Sequence, residues 1–118
     1  MATTFGLLVS VCGMSLAESA RFLSVSVDTA RSWSSGRNTP PESAIDRMSV
    51  LYGQIEAVAN KTLRRVLTVP DENVLRLPAL SEDDEVRQHT GLPCVGAYNA
   101  ALGIICAKVS QRTVIAPS

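Results

Sequence analysis

The sequence predicts a mainly α chain with some β character (α+β). The expected order is an N-terminal bundle of short helices, a long connecting helix, and a small C-terminal α+β region with two short strands. Three observations carry this. Within the first 36 residues, short apolar stretches are bracketed by helix-starting serines and closing glycines. From Ile45, apolar side chains recur every three or four residues for about three heptads. Near residues 73–77 and 113–116 the pattern shortens and turns to β-favouring residues.

The elements follow in order. In the segment from Thr3 to Cys12, Phe5, Leu8, Val9 and Cys12 share one helical face, and Gly13 suits a left-handed stop. Ser15 with Glu18 forms a capping box for a helix from Leu16 to Leu23, with Ala20 and Leu23 inward. Ser24-Val25-Ser26 makes a tight turn, and Ser26 caps a third helix, Val27–Ser35, which Gly36 closes. Small Ala20 permits a close helix crossing, Val25 tucks beneath it, and Ala30 and Trp33 face inward. This is helix-turn-helix spacing, in which the second helix of the pair can enter the DNA major groove.

The stretch from Gly13 to Pro40 resembles the phage-repressor, XRE-type helix-turn-helix, whose pattern is roughly G-x-S-x-x-x-x-A-x-x-L-G-V-S-x-x-x-I-x-x-W-E-x-G-x-x-x-P. Gly13, Ser15, Ala20, Leu23, Val25, Ser26, Trp33, Gly36 and Pro40 match in register. Departures fall at Ser19, where the family has Leu, at Ser24 for Gly, at Ala30 for Ile, and at Ser34 for the acid. The resemblance implies that Val27–Ser35 is the recognition helix, presenting Val27, Asp28, Thr29, Arg31 and Ser32. Arg31 is the expected base reader, because a guanidinium can pair with guanine O6 and N7 together. Thr29 and Ser32 can bond bases or phosphate, and Val27 can meet a thymine methyl. Asp28 must either accept from cytosine or orient Arg31. Ser15 offers its hydroxyl and nearby backbone N–H groups to a phosphate, and Arg37 and Asn38 are expected backbone clamps.

Pro40-Pro41 and Glu42 open the long helix, expected to run to about Thr68. Its inward line is read as Ile45, Met48, Tyr52, Ile55, Ala59, Thr62 and Val66, with Ala44, Leu51 and Val58 beside it. A stripe this wide needs a further partner, either the C-terminal half or a second copy. Asn73–Leu77 alternates with period two and reads as a strand. Ser81 with Asp84 reads as a capping box for an acidic helix that Gly91 stops, and the acids of its first turn suit the helix dipole better than a metal. A last helix from about Pro93 to Ser110 carries Val95, Tyr98, Leu102, Ile105 and Val109 on one face, with Ala97, Ala100, Ala101 and Gly103 forming a smooth one. A strand over Gly103–Val109 is the alternative. Thr113–Ala116 is expected to return as a strand beside Val74–Leu77.

This order of elements, together with Ser26, Trp33, Ser35, Gly36, Arg37 and Pro40 or Pro41, resembles the anti-CRISPR-associated autoregulators of phages. That resemblance implies a homodimer in a bacterial host cell, built by the C-terminal half and bound to an inverted repeat in its own promoter. Residues 1–68 would be the DNA-binding domain with its long fourth helix, and 69–118 the dimerisation region. Tyr52, Ile55, Tyr98, Leu102 and Ile105 are the candidate dimer contacts.

Composition narrows the classes. The 118 residues are 46% hydrophobic and 19% charged, too apolar for a disordered tail. Eleven Lys/Arg balance eleven Asp/Glu, so nucleic acid cannot be held by bulk charge alone. Residues 1–65 carry seven basic against five acidic side chains, a balance of +2. Residues 66–118 carry four against six, a balance of −2. No apolar run of membrane-spanning length occurs, and Met-Ala-Thr-Thr-Phe lacks the basic stretch of a secretory signal, so a cytoplasmic protein is expected. Cys12, Cys94 and Cys106 have no C-x-x-C spacing and only His89 for company, so no zinc site is expected and the thiols read as buried and reduced. A Cys94–His89 nucleophile pair would lack an orienting third group. With no convergent polar constellation, the chain is expected to be neither an enzyme nor a cofactor carrier.

The leading expectation is a dimeric transcriptional repressor on a palindromic double-stranded DNA operator. The alternative is an antitoxin-like module that masks a protein partner and autoregulates. Single-stranded RNA binding is weaker, because five aromatics, mostly inward, supply few stacking platforms.

Overall fold

The chain is mainly helical. The computed structural model describes the backbone of residues 2–67, 74–108 and 112–117, and the side chains of 2–65 and 80–108. Its elements are α1 (Thr4–Val11), α2 (Leu16–Leu23), α3 (Val27–Ser35), α4 (Glu42–Leu67), β1 (Val74–Ala79), α5 (Asp83–Thr90), α6 (Val95–Lys108) and β2 (Arg112–Pro117). Two compact units, Met1–Gly53 and Gln54–Ser118, divide inside α4. The domain boundary expected at 68/69 lies outside the described residues. No single helix among the described residues is long and apolar enough to cross a membrane.

In the first unit the core is Phe5, Val9, Cys12, Met14, Ala20, Leu23, Ala30, Trp33, Ala44, Met48 and Leu51, all buried. Phe5 meets Trp33 edge-on, with ring centroids 5.4 Å apart and planes at 81°. The start of α1 is tied to the end of α3. Thr3 Oγ1 accepts from the Gly6 amide at 3.0 Å and donates to the Ser34 carbonyl at 2.8 Å. Position 6 is a tight fit: a Cβ there would lie 3.0 Å from Thr3 Oγ1 and 3.2 Å from Ser34 Oγ, so these side chains would have to give by a few tenths of an ångström. Leu7 and Val11 turn outward from α1.

Along α4 the buried line is Ala44, Met48 and Leu51, continued in the second unit by Ile55 and Ala59. Ile45, Tyr52, Val58 and Thr62 are only half-buried. The expected heptad line is thereby corrected. An α-helix turns about 100° per residue, so a strict 3-4 alternation drifts around a straight helix, and the core follows Ala44 and Leu51 in place of Ile45 and Tyr52. The described side chains stop short of Val66.

In the second unit β1 and β2 pair in parallel, from Val74 opposite Arg112 to Ala79 opposite Pro117. Pro78 has no N–H to give, which a two-stranded ladder tolerates because each strand has an open edge. The cap of α5 is Glu82 rather than Ser81, with the Glu82 amide donating to Glu85 Oε1 at 3.2 Å. With the cap one residue later, the position three residues on is Glu85, and Asp84 pairs with Arg87 instead. Asp83 Oδ1 accepts from the Val95 amide at 2.9 Å, and Arg87 Nη1 donates to the Pro93 carbonyl at 2.9 Å, so both ends of the α5–α6 turn are held. Helix α6 runs through Gly103 to Lys108, which rules out the strand alternative there: Ala97, Tyr98, Ala101, Leu102 and Ile105 are buried at helical spacing. Of the expected smooth face, Ala97 and Ala101 are used, whereas Gly103 faces open space. Cys12 and Cys94 are buried, but Cys106 is exposed, because it follows Ile105 around the helix to the outer face.

Candidate nucleic-acid interface

The α2–α3 pair is set by local chemistry. The Ser15 amide donates to Glu18 Oε1 at 2.9 Å and the Glu18 amide donates to Ser15 Oγ at 3.1 Å, closing the capping box. Ser24 ends α2 in the left-handed region (φ 59°, ψ 43°), the Val25 amide donates to the Ala20 carbonyl at 2.9 Å, and the chain enters α3 at Ser26. Ser26 Oγ accepts from the Thr29 amide at 3.1 Å and shares a 2.8 Å hydrogen bond with Thr29 Oγ1. Gly36 closes α3 at φ 84°. Ala20 and Leu23 of α2 and Ala30 and Trp33 of α3 are buried.

At about 100° per residue, α3 divides into two arcs. Ala30, Trp33 and Ser32 are buried, and Thr29 and Ser34 half-buried; Val27, Asp28, Arg31 and Ser35 are exposed, with Arg31 near the centre of their arc. Arg31 Nη1 lies 2.9 Å from Asp28 Oδ1, with side-chain exposures of 61% and 87%. An exposed pair of this kind is worth only about 0.3–0.5 kcal/mol. The pair sets one guanidinium nitrogen beside Asp28 and leaves the Arg31 side chain mostly exposed.

Ser32 is a correction. It is buried, and its hydroxyl donates to the Thr29 carbonyl at 2.8 Å, so neither its surface nor its proton is available to DNA. Thr29 is half-buried with its hydroxyl engaged by Ser26. Ser15, Arg37 and Asn38 are exposed, but the Ser15 amide and the Glu18 amide are taken up in the capping box, so the phosphate donors expected at that helix start are reduced. The Arg37 amide donates to Ser35 Oγ at 3.4 Å and the Asn38 amide to the Ser32 carbonyl at 3.2 Å, which folds both residues back beside the end of α3.

Two residues escape sequence reasoning. Ser35 shares the exposed arc, which a helical wheel alone would have found. Arg47 lies over the Phe22 ring at 4.8 Å and donates to the Phe22 carbonyl at 2.8 Å. No local pattern signals a contact across 25 residues.

Four of the five expected dimer contacts are corrected by burial. Ile55, Tyr98, Leu102 and Ile105 are buried within the chain itself, whereas Tyr52 is half-buried. Burial also pushes the Tyr98 phenol above its ordinary value. The charge division shifts with the observed boundary as well. Residues 1–53 hold four basic side chains (Arg21, Arg31, Arg37, Arg47) and four acidic ones (Glu18, Asp28, Glu42, Asp46), a neutral unit.

No protein-family model matches this chain, and no curated protein matches it.

Proposed function

We propose that this chain is a sequence-specific DNA-binding transcriptional regulator, a homodimeric autorepressor that reads an inverted-repeat operator through α3. The observation that carries the reading is the exposed arc of Val27, Asp28, Arg31 and Ser35 on a capped helix-turn-helix, with Arg31 near its centre and paired with Asp28. Arg31 reads guanine in the major groove and Val27 meets a thymine methyl. Arg37 and Asn38 beyond α3 contact phosphate, and of the capping box at the start of α2 only the Ser15 hydroxyl proton is left to offer, since Glu18 takes up the Ser15 amide. Two copies place their recognition helices roughly 34 Å apart, one turn of DNA. With Ile55, Tyr98, Leu102 and Ile105 enclosed in the monomer, the dimer forms through other surfaces of the C-terminal unit.

A neutral unit of 53 residues gains little from bulk charge, so affinity rests on side-chain readout and on doubling the half-site. The test is a gel shift on the DNA immediately upstream of the chain's own gene, with a salt titration and unrelated competitor DNA. The expected result is a competitor-resistant shift at about 10⁻⁸ M or tighter with a shallow salt slope. No shift at low salt overturns the proposal.

A further inference from the structure

Helix α3 carries one acid and one base, Asp28 and Arg31, and both stand on its exposed arc. An acid on a surface that meets a polyanion needs a reason, because it repels phosphate. The same acid–base spacing recurs in α5, where Asp84 pairs with Arg87. There the chain itself uses the guanidinium, since Arg87 Nη1 also donates to the Pro93 carbonyl at 2.9 Å. In α3 it does not. Arg31 Nη1 meets Asp28 Oδ1 at 2.9 Å, and neither side chain has another hydrogen bond or ion pair among the described residues. Asp28 Oδ2 and Arg31 Nη2 and Nε are thus without a partner there, on side chains 87% and 61% exposed.

These groups are of opposite kinds. A carboxylate oxygen only accepts, and a guanidinium only donates. In the major groove guanine offers two acceptors, O6 and N7, whereas cytosine offers a donor, the N4 amine. Adenine also offers an amine, but its N7 acceptor lies beside N6 and would face the carboxylate. Thymine and guanine present no donor in that groove. The i,i+3 spacing sets the two Cβ atoms about 5–6 Å apart, and successive base pairs are about 3.4 Å apart, so the linked side chains span one step.

We propose that Asp28 and Arg31 read a unit of two base pairs: Arg31 takes guanine, and Asp28 Oδ2 accepts from the N4 amine of a cytosine in the adjacent pair. This assignment rests on α3 reading DNA, and adds to it the base at a second position and the residue that chooses it. The guanidinium beside the carboxylate offsets its charge, so the acid costs less near phosphate than a lone one would.

The test is selection of bound sequences from a randomised duplex library by the full chain, for the parent, Asp28→Ala and Asp28→Asn, with fluorescence anisotropy on the selected duplexes. The parent is expected to enrich guanine with a cytosine in the adjacent pair. Asp28→Ala should keep the guanine and lose all preference in that adjacent pair. Asp28→Asn should keep the guanine and turn the neighbour to adenine, whose N6 and N7 match an amide, by about fivefold or more over cytosine. Both substitutions alter an exposed side chain, and Trp33 fluorescence checks that the first unit stays folded. Base preference is the readout, because losing an acid raises affinity for any duplex. An acid that merely oriented Arg31 would, on removal, weaken the guanine preference and leave the adjacent pair unselected throughout. A parent site without cytosine beside the guanine, cytosine retained by Asp28→Ala, or adenine not gained by Asp28→Asn overturns the assignment while leaving α3 as a DNA reader. Enrichment of no sequence by the parent overturns the DNA-binding reading itself, and this assignment with it.

Discussion

Ser24 is where the α2–α3 turn stores backbone strain that a single atom-level change can release. It is the only non-glycine residue with positive φ among the described residues (φ 59°, ψ 43°), its side chain is exposed, and its hydroxyl makes no hydrogen bond there. A side chain in the left-handed region costs about 1–2 kcal/mol. Glycine removes that cost but returns about 0.5–1 kcal/mol through the greater freedom of the unfolded chain. Ser24→Gly is therefore expected to stabilise the first unit by about 0.5–1 kcal/mol, or about 2–8 °C in midpoint. The one tryptophan, Trp33, packs in that unit against Phe5, so its fluorescence during thermal or urea unfolding reports on this unit directly. Gly36→Ala places a side chain at φ 84° and should move the midpoint the other way. A Ser24→Gly midpoint equal to or below the parent's refutes the strain reasoning, whatever Gly36→Ala does.

Two further outcomes follow from the core. Ser19 is fully buried with an unpartnered hydroxyl, so Ser19→Ala should raise the same Trp33-monitored midpoint by an amount corresponding to about 1 kcal/mol. In the second unit, burial raises the Tyr98 phenol, so the folded state holds that proton more tightly than the unfolded chain. This contribution is complete below the ordinary tyrosine value of about 10 and is lost as pH climbs through and beyond it. Tyr98→Phe should flatten the alkaline fall in urea stability followed by circular dichroism.

What the sequence made legible was local. The Ser15–Glu18 box, the Ser26 cap and the Gly36 and Gly91 stops depend on residues within one helical turn, and they stand where the spacing puts them. Arg31 on the outer arc of α3 is local in the same sense. Ser32 was not legible. A small hydroxyl residue looks exposed in a pattern, yet its bond to the Thr29 carbonyl makes burial inexpensive. The burial of the expected dimer contacts was not legible for a different reason. Periodicity shows that Ile55, Tyr98, Leu102 and Ile105 must be covered, but not whether the cover comes from the same chain. The +2 and −2 halves dissolved because Lys61, Arg64 and Arg65 lie beyond Gly53, a division set by packing rather than by composition.

The central claim, that α3 reads DNA through Arg31, is tested most directly by fluorescence anisotropy on the upstream site and on a scrambled duplex of equal length. Arg31→Ala should lose about 5- to 150-fold in affinity for the site, the range of about 1–3 kcal/mol for a bidentate base contact, and change little on the scrambled duplex. Its sedimentation should remain that of the parent. Equal affinity of parent and variant for the upstream site would contradict the account.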